Sequence, residues 1–287
     1  MLIDLQYKVL NVMKKSILLF LISVLFMSES CATSKESSSI VRLETTYGNI
    51  TVKLYPETVK HRANFLKLVN EGFYNNVLFH RVIADFMIQT GDPGSKNAKQ
   101  DATLGSGDVG YTIPAEFVYP RYYHKRGALS AARQDDQTNP LKASSGCQFY
   151  IVQGRSFTDE ELTGMEKNKE QKLEAKLFQN IVSAKQDEVK KYRLERSQPK
   201  LDALRDSILT QVNVQMKNDS SYKFTEQQRN DYKTIGGTPH LDGDYTVFGE
   251  VIEGLDIVEK ISQTKTGRND RPLENIKIIK AEVVYSR

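Results

Sequence analysis

Cysteine is nearly absent from this chain of 287 residues: Cys31 and Cys147 are the only two. Cys31 closes an N-terminal leader, which leaves Cys147 without a partner and excludes an internal disulfide. No histidine or basic residue adjoins Cys147 in sequence to lower its pKa, so a small buried thiol is expected. Histidine is also sparse. The four at positions 61, 80, 124 and 240 show no ligand spacing, and no metal site is predicted. Basic residues exceed acidic ones only by 40 to 36, with no continuous basic stripe interleaved with aromatics, which argues against nucleic-acid binding. One strongly apolar run exists, Ile17 to Met27, and it is too short to span a bilayer comfortably.

That run follows Lys14-Lys15, and a charged segment ahead of a short apolar one is the pattern of a secretory signal. Met13 stands directly before the lysines as an alternative start to Met1. Cys31 lies where a lipoprotein signal carries its acylated cysteine, although Ser28-Glu29-Ser30 departs from the usual Leu-Ala-Gly-like tripeptide. Cleavage after Ala32, with Ser30 and Ala32 as the small residues, is the alternative. Residues 1–31 are therefore read as a signal peptide of lipoprotein type and 32–39 as a small polar tether. The rest, 40–287, is expected outside the cytoplasm, in the periplasm, held to a membrane by lipid alone.

In the exported part, Ile40 to Thr45 and Asn49 to Leu54 alternate apolar and polar residues around a Tyr47-Gly48 turn, which predicts a hairpin. Pro56 to Asn70 carries Val59, Ala63, Leu66 and Val69 at helical spacing, with Gly72 just beyond. Strands are predicted around 111–117, 127–133 and 146–153, a short helix over Leu255 to Ser262, and a last strand over Ile276 to Tyr285. Many short strands and two helices suit a mostly β, closed antiparallel barrel.

Residues 158–233 differ in kind. Met165, Leu173, Leu177, Ile181 and Ala184, then Leu201, Leu204, Ile208 and Val212, recur at helical spacing on either side of Pro199. Thr225-Glu226-Gln227-Gln228 has the form of a helix cap. The segment reads as an antiparallel helical hairpin inserted into one loop of the barrel.

The richest stretch is Phe79-His80-Arg81-Val82-Ile83-Ala84-Asp85-Phe86-Met87-Ile88-Gln89-Thr90-Gly91-Asp92. Alternate residues of a strand share a face, so Arg81, Ile83, Met87 and Gln89 line one wall if the Ala84-Asp85 bend keeps the register. An apolar wall holding a guanidinium and an amide has the character of a binding surface. Gly105 to Gly110 fits G-x-G-x-x-G, but Tyr111-Thr112-Ile113-Pro114 follows it where a dinucleotide-binding helix would have to start, so that reading is rejected.

The run from 79 to 92 also resembles the signature of the cyclophilins, the peptidyl-prolyl cis-trans isomerases inhibited by cyclosporin. Gly127 to Arg133 is similar to their G-x-L-[SA]-M-A segment, and Ser145 to Ile151 to their G-S-Q-F-F-I strand. Leu241-Asp242-Gly243 with Thr246 to Val251 resembles L-D-G-x-x-x-V-F-G-x-V. The likeness covers roughly 40–155 and 236–287 and leaves the helical segment without a counterpart.

The resemblance implies an eight-stranded barrel with a helix over each end, acting as an isomerase without metal or cofactor. It implies Arg81 as the electrostatic catalytic residue and Gln89 as the group that positions it and the substrate backbone. Phe86, Met87, Tyr150 and Leu241 would form the proline pocket, while Gln148 and the backbone of Ala132 and Arg133 hold the peptide extended; Phe79 and Phe149 belong to the core. His240 stands in place of a tryptophan, Tyr245 of a histidine and Arg133 of an asparagine, and the first of these predicts weak cyclosporin sensitivity. The expected partners are proline-containing polypeptides, unfolded or exported, met by a monomer that binds no nucleic acid. A peptide-binding chaperone or scaffold acting through the helical insertion is the alternative.

Overall fold

The computed structural model describes residues 39–219 and 223–284. The leader, Cys31 and the tether up to residue 38 lie outside the described residues.

Apolar-polar alternation folds Ile40–Thr45 (β1) and Gly48–Leu54 (β2) into the expected hairpin, with Val41, Leu43, Ile50, Val52 and Leu54 fully buried. Helix α1, Val59–Asn70, turns Phe65, Leu68 and Val69 inward and ends ahead of Gly72, whose φ of 67° suits a residue without Cβ. Then come β3 (Arg81–Ile83), β4 (Met87–Thr90), β5 (Thr112–Ile113), β6 (Ala128–Ala131), β7 (Ser144–Ser145) and β8 (Phe149–Val152). After the inserted helices follow β9 (Val247–Glu253), the last helix (Leu255–Ser262) and β10 (Ile278–Val284).

Eight strands form one antiparallel sheet in the order β10-β1-β2-β9-β6-β8-β4-β3, and β5 pairs with β7 apart from it. Its core holds Phe79, Phe149, Leu129, Ile151 and Phe248 beside the α1 residues. Phe79 and Phe149 are thus core residues, as expected.

The sheet is open where a closed barrel was expected. No ladder joins β3 to β10; the chain ahead of each meets in one bridge, Leu78 to Lys277, flanked by Phe79 N–H donating to Ile276 O at 2.8 Å and Ile278 N–H to Val77 O at 2.9 Å. β3 is only three residues long, and the turn Arg268–Asp270 packs beside it. Among the described residues helix also outweighs strand. The insertion tips the balance to helix, because its longest members run for 26 and 21 residues.

These inserted helices are α2 (Asp159–Ala184), α3 (Gln186–Leu194), α4 (Gln198–Asn218) and α5 (Glu226–Thr234), which makes Leu255–Ser262 α6. Two long helices match the periodicity and the short one its cap, whereas α3 was not foreseen, since residues 186–194 bury no side chain fully and carry few apolar residues. Pro199 sits in the first turn of α4, where its missing N–H costs nothing. Capping boxes at Thr158/Glu161 and Thr225/Gln228 start α2 and α5. Leu204, Ile208 and Val212 pack against Leu177, Phe178, Ile181 and Val189, giving the arm a small core of its own. Gly154 and Gly237 pinch its neck: a Cβ on Gly154 would lie 2.4 Å from Gly237 Cα, so the two backbones touch.

Candidate active site

The β3–β4 ladder places Arg81 directly opposite Gln89, and Ile83 opposite Met87, so the Ala84-Asp85 bend keeps the register. Asp85 makes this possible by adopting a left-handed φ of 59°. Gln89 pairs in turn with Tyr150 on β8, which brings the signature strand beside the pocket strand.

A cavity of about 560 Å³ opens there. Phe86, Met87, Tyr150 and Leu241 meet in it, with Arg81, Gln89, Ala132, Arg133 and Tyr245 around them. Met87 and Tyr150 are buried, and their cluster extends to Tyr55, Ala128, Val152 and Val247, so the pocket floor is the face of a packed core. Ile83 packs against that cluster without lining the cavity. Gln148 lies outside it, lining an adjoining groove with Gly105, Ser106 and Gly107. His240 is exposed at the rim, its ring stacked on Phe86 with centroids 5.5 Å apart.

Arg81 is about half exposed, and its Nε donates to Asp270 Oδ2 at 3.4 Å. Among the described residues no hydrogen bond joins Gln89 to it; the Gln89 Nε2 donates to Gln148 Oε1 at 3.0 Å. Gln148 in turn donates to the carbonyls of Gly105 and Gly107 at 3.0 and 2.7 Å, while the N–H groups of both glycines point to Asp92. The G-x-G-x-x-G segment is therefore a loop fastened to the site and opens no helix. Arg133 is tied down by donating to Asp244 O and Gln134 O, and it lies 4.3 Å above the Tyr245 ring. Ala132 has its N–H already committed to Gln148 O, so its carbonyl, which accepts from Ser145 N–H, is what remains for a peptide.

Several participants escaped the sequence reading. His80 lines the cavity with both ring nitrogens unpartnered, and burial pulls its pKa down to about 4 against the opposing pull of Asp92. Arg268 and Asp270 reach the cavity from the turn beside β3. The Tyr150 hydroxyl lies 3.0 Å from His124 Nε2. Asp242 stood inside the quoted Leu-Asp-Gly motif without a role, and its carboxylate holds His124. Cys147 is buried, and burial pushes its thiol up to about 11, so it is no nucleophile at neutral pH.

An apolar floor with a guanidinium above it suits a prolyl ring and a twisted imide, and comparison with known proteins agrees. The family described as cyclophilin type peptidyl-prolyl cis-trans isomerase/CLD matches residues 40–165 and 151–283. The chain belongs to this family of isomerases. This cyclophilin is 31% identical over 244 residues to a Staphylococcus saprophyticus protein named as an inferred peptidyl-prolyl cis-trans isomerase, a match covering 84% of this chain and 90% of the relative. An inferred isomerase of Staphylococcus aureus is 29% identical over 245 residues, covering 85% and 90%. In fold it is similar to a cyclophilin-type isomerase of Cryptosporidium parvum, with a TM-score of 0.52 and 20% identity, covering 87% of this chain and 99% of that one. The enzyme is a peptidyl-prolyl cis-trans isomerase, and its family acts on proline-containing peptides.

Proposed function

We propose that this cyclophilin accelerates X-Pro isomerisation in exported polypeptides, as a monomer in the periplasm, with Arg81 as its electrostatic residue. The observation that carries the reading is the cavity that Arg81 lines together with Phe86, Met87, Tyr150 and Leu241.

Amide resonance sets a rotation barrier of about 18–20 kcal/mol. At the twisted midpoint the imide nitrogen regains its lone pair and the carbonyl becomes more ketone-like. Arg81 donates a hydrogen bond to that nitrogen or holds the prolyl carbonyl, and so binds the twisted form better than the planar one. Phe86, Met87, Tyr150 and Leu241 grip the ring and keep water from competing. Gln89 and Gln148, bonded to each other, and the Ala132 carbonyl align the peptide backbone along β4 and β8. Arg133, Tyr245 and His240 shape the rim.

The envelope address is supported by the Lys14-Lys15 and Ile17 to Met27 pattern, and a lipid tether by Cys31 with the small polar residues after it. The test compares the leaderless protein with Arg81→Ala, on a prolyl tetrapeptide and on refolding of a substrate whose slow phase is prolyl isomerisation. A fast wild type and a crippled variant are expected on both. A wild type that accelerates neither would leave a peptide-binding scaffold working through the helical arm.

A further inference from the structure

We infer that Tyr232, on helix α5 of the inserted arm, is a positioning residue for the prolyl pocket, acting on Tyr150 through Asp242 and His124. The inference rests on the reading of Tyr150 as pocket floor given above.

The four side chains form one continuous buried line. The Tyr232 hydroxyl donates to Asp242 Oδ2 at 2.6 Å. Asp242 Oδ1 accepts from the His124 backbone N–H at 2.9 Å and from Nδ1 at 3.0 Å. His124 Nε2 lies 3.0 Å from the Tyr150 hydroxyl. His124, Asp242 and Tyr232 are fully buried or nearly so, and Tyr150 is only 4% exposed, so water cannot replace a missing link at low cost.

The chemistry sets the direction of the line. A carboxylate only accepts, so Nδ1 carries the imidazole proton toward Asp242. Nε2 then meets the Tyr150 hydroxyl at 3.0 Å, which donates to a neutral ring and accepts from a charged one. Either way the bond anchors the phenol oxygen, and with it the ring that packs with Met87 and Leu241. Tyr232 is the hydrogen-bond donor to Asp242 Oδ2 among the described residues. Without it one oxygen of a buried carboxylate loses its partner, and the carboxylate must turn or give up part of its hold on His124.

The backbone of the neck reinforces this connection. Thr238 N–H, at the exit of the arm, donates to His124 O at 2.8 Å, and Arg126 N–H donates to Gly236 O at 2.9 Å. His124 is thereby held at its N–H by Asp242 and at its carbonyl by the segment that leads out of α5. The Tyr232 ring is seated among Tyr123, Phe157 and Phe224, with centroids 5.8, 6.4 and 5.6 Å away. That nest is apolar enough for phenylalanine, so the hydroxyl serves the line and not the packing. The base of the arm is part of the scaffold of the site.

The experiment uses the exported protein with Tyr232→Phe, Tyr150→Phe, both together, and Tyr123→Phe as a control whose hydroxyl bonds Asp231 in the same nest. Three readouts are taken: kcat/KM on a prolyl tetrapeptide, the ring nitrogen resonances of His124, and unfolding midpoints. Tyr232→Phe is expected to lower kcat/KM about threefold to tenfold, to move the His124 resonances, and to cost nothing further once Tyr150 is phenylalanine. Tyr123→Phe should leave activity and His124 unchanged. Additive effects of the two changes, or unmoved His124 resonances in a folded Tyr232→Phe protein, overturn the inference. Should Tyr232→Phe fail to fold, difluorotyrosine at 232 keeps the ring and strengthens the donor, and unmoved His124 resonances there overturn it equally. A wild type without isomerase activity would instead sink the reading of the site, while His124 still reports on the line.

Discussion

Asp270 Oδ2 stands 3.4 Å from Arg81 Nε, across the open seam of the sheet, with both side chains nearly half exposed. A pair so placed is worth at most about 1 kcal/mol, too little to be the purpose of the arginine. Asp270→Asn should therefore change kcat/KM by less than about fivefold, whereas Arg81→Ala should lower it about 100-fold. Steady-state assays of the two variants decide the matter. Equal losses would make Arg81 one half of a structural ion pair.

Buried His80 sets an acid limit. Its folded pKa, about 4, lies below the ordinary value near 6.5, so the unfolded chain takes up a proton that the folded protein refuses. Stability is then complete above pH ~6.5 and declines as pH falls toward 4, by about 3 kcal/mol in all. His61, whose pKa burial also lowers despite Glu116, adds a loss of the same sign. Urea unfolding at pH 7 and 4.5 should show this loss in the wild type and a smaller one in His80→Gln. An identical loss in both would mean that His80 titrates normally.

The rim offers a route to inhibitor sensitivity. His240 is exposed and stacked on Phe86, so an indole there would extend the apolar face and turn an N–H outward. His240→Trp should tighten cyclosporin binding by about tenfold or more, read by titration of isomerase activity. No gain would place the inhibitor elsewhere than over Phe86.

The far part of the arm should be separable from catalysis. Ile208 is 3% exposed within the α2–α4 core, and Ile208→Ala should weaken that core by about 2–5 kcal/mol. Hydrogen exchange would show faster opening of α2, α3 and α4 with kcat/KM on a short peptide unchanged. A fall in activity to match would extend the influence of the arm well beyond α5.

Much of this molecule was determined by residues near each other in sequence. The β1–β2 hairpin follows from alternation, α2 and α4 from helical periodicity, and α5 from the Thr225 to Gln228 cap. The Arg81 to Gln89 wall needed only a bend that preserved register, which Asp85 provides. The tertiary structure decided what no local window carries. Asp270 meets Arg81 across 189 positions because the ladder stops at β3, and Gln89 turns to Gln148 because the Gly105 loop holds that side chain in place. Asp242 reaches His124 across 118 positions, and Tyr232 completes the line only because the two segments of the neck close against each other. Periodicity reports which face of an element is buried; it does not report which buried polar group waits on the far side, and that pairing is settled only when the core closes around it.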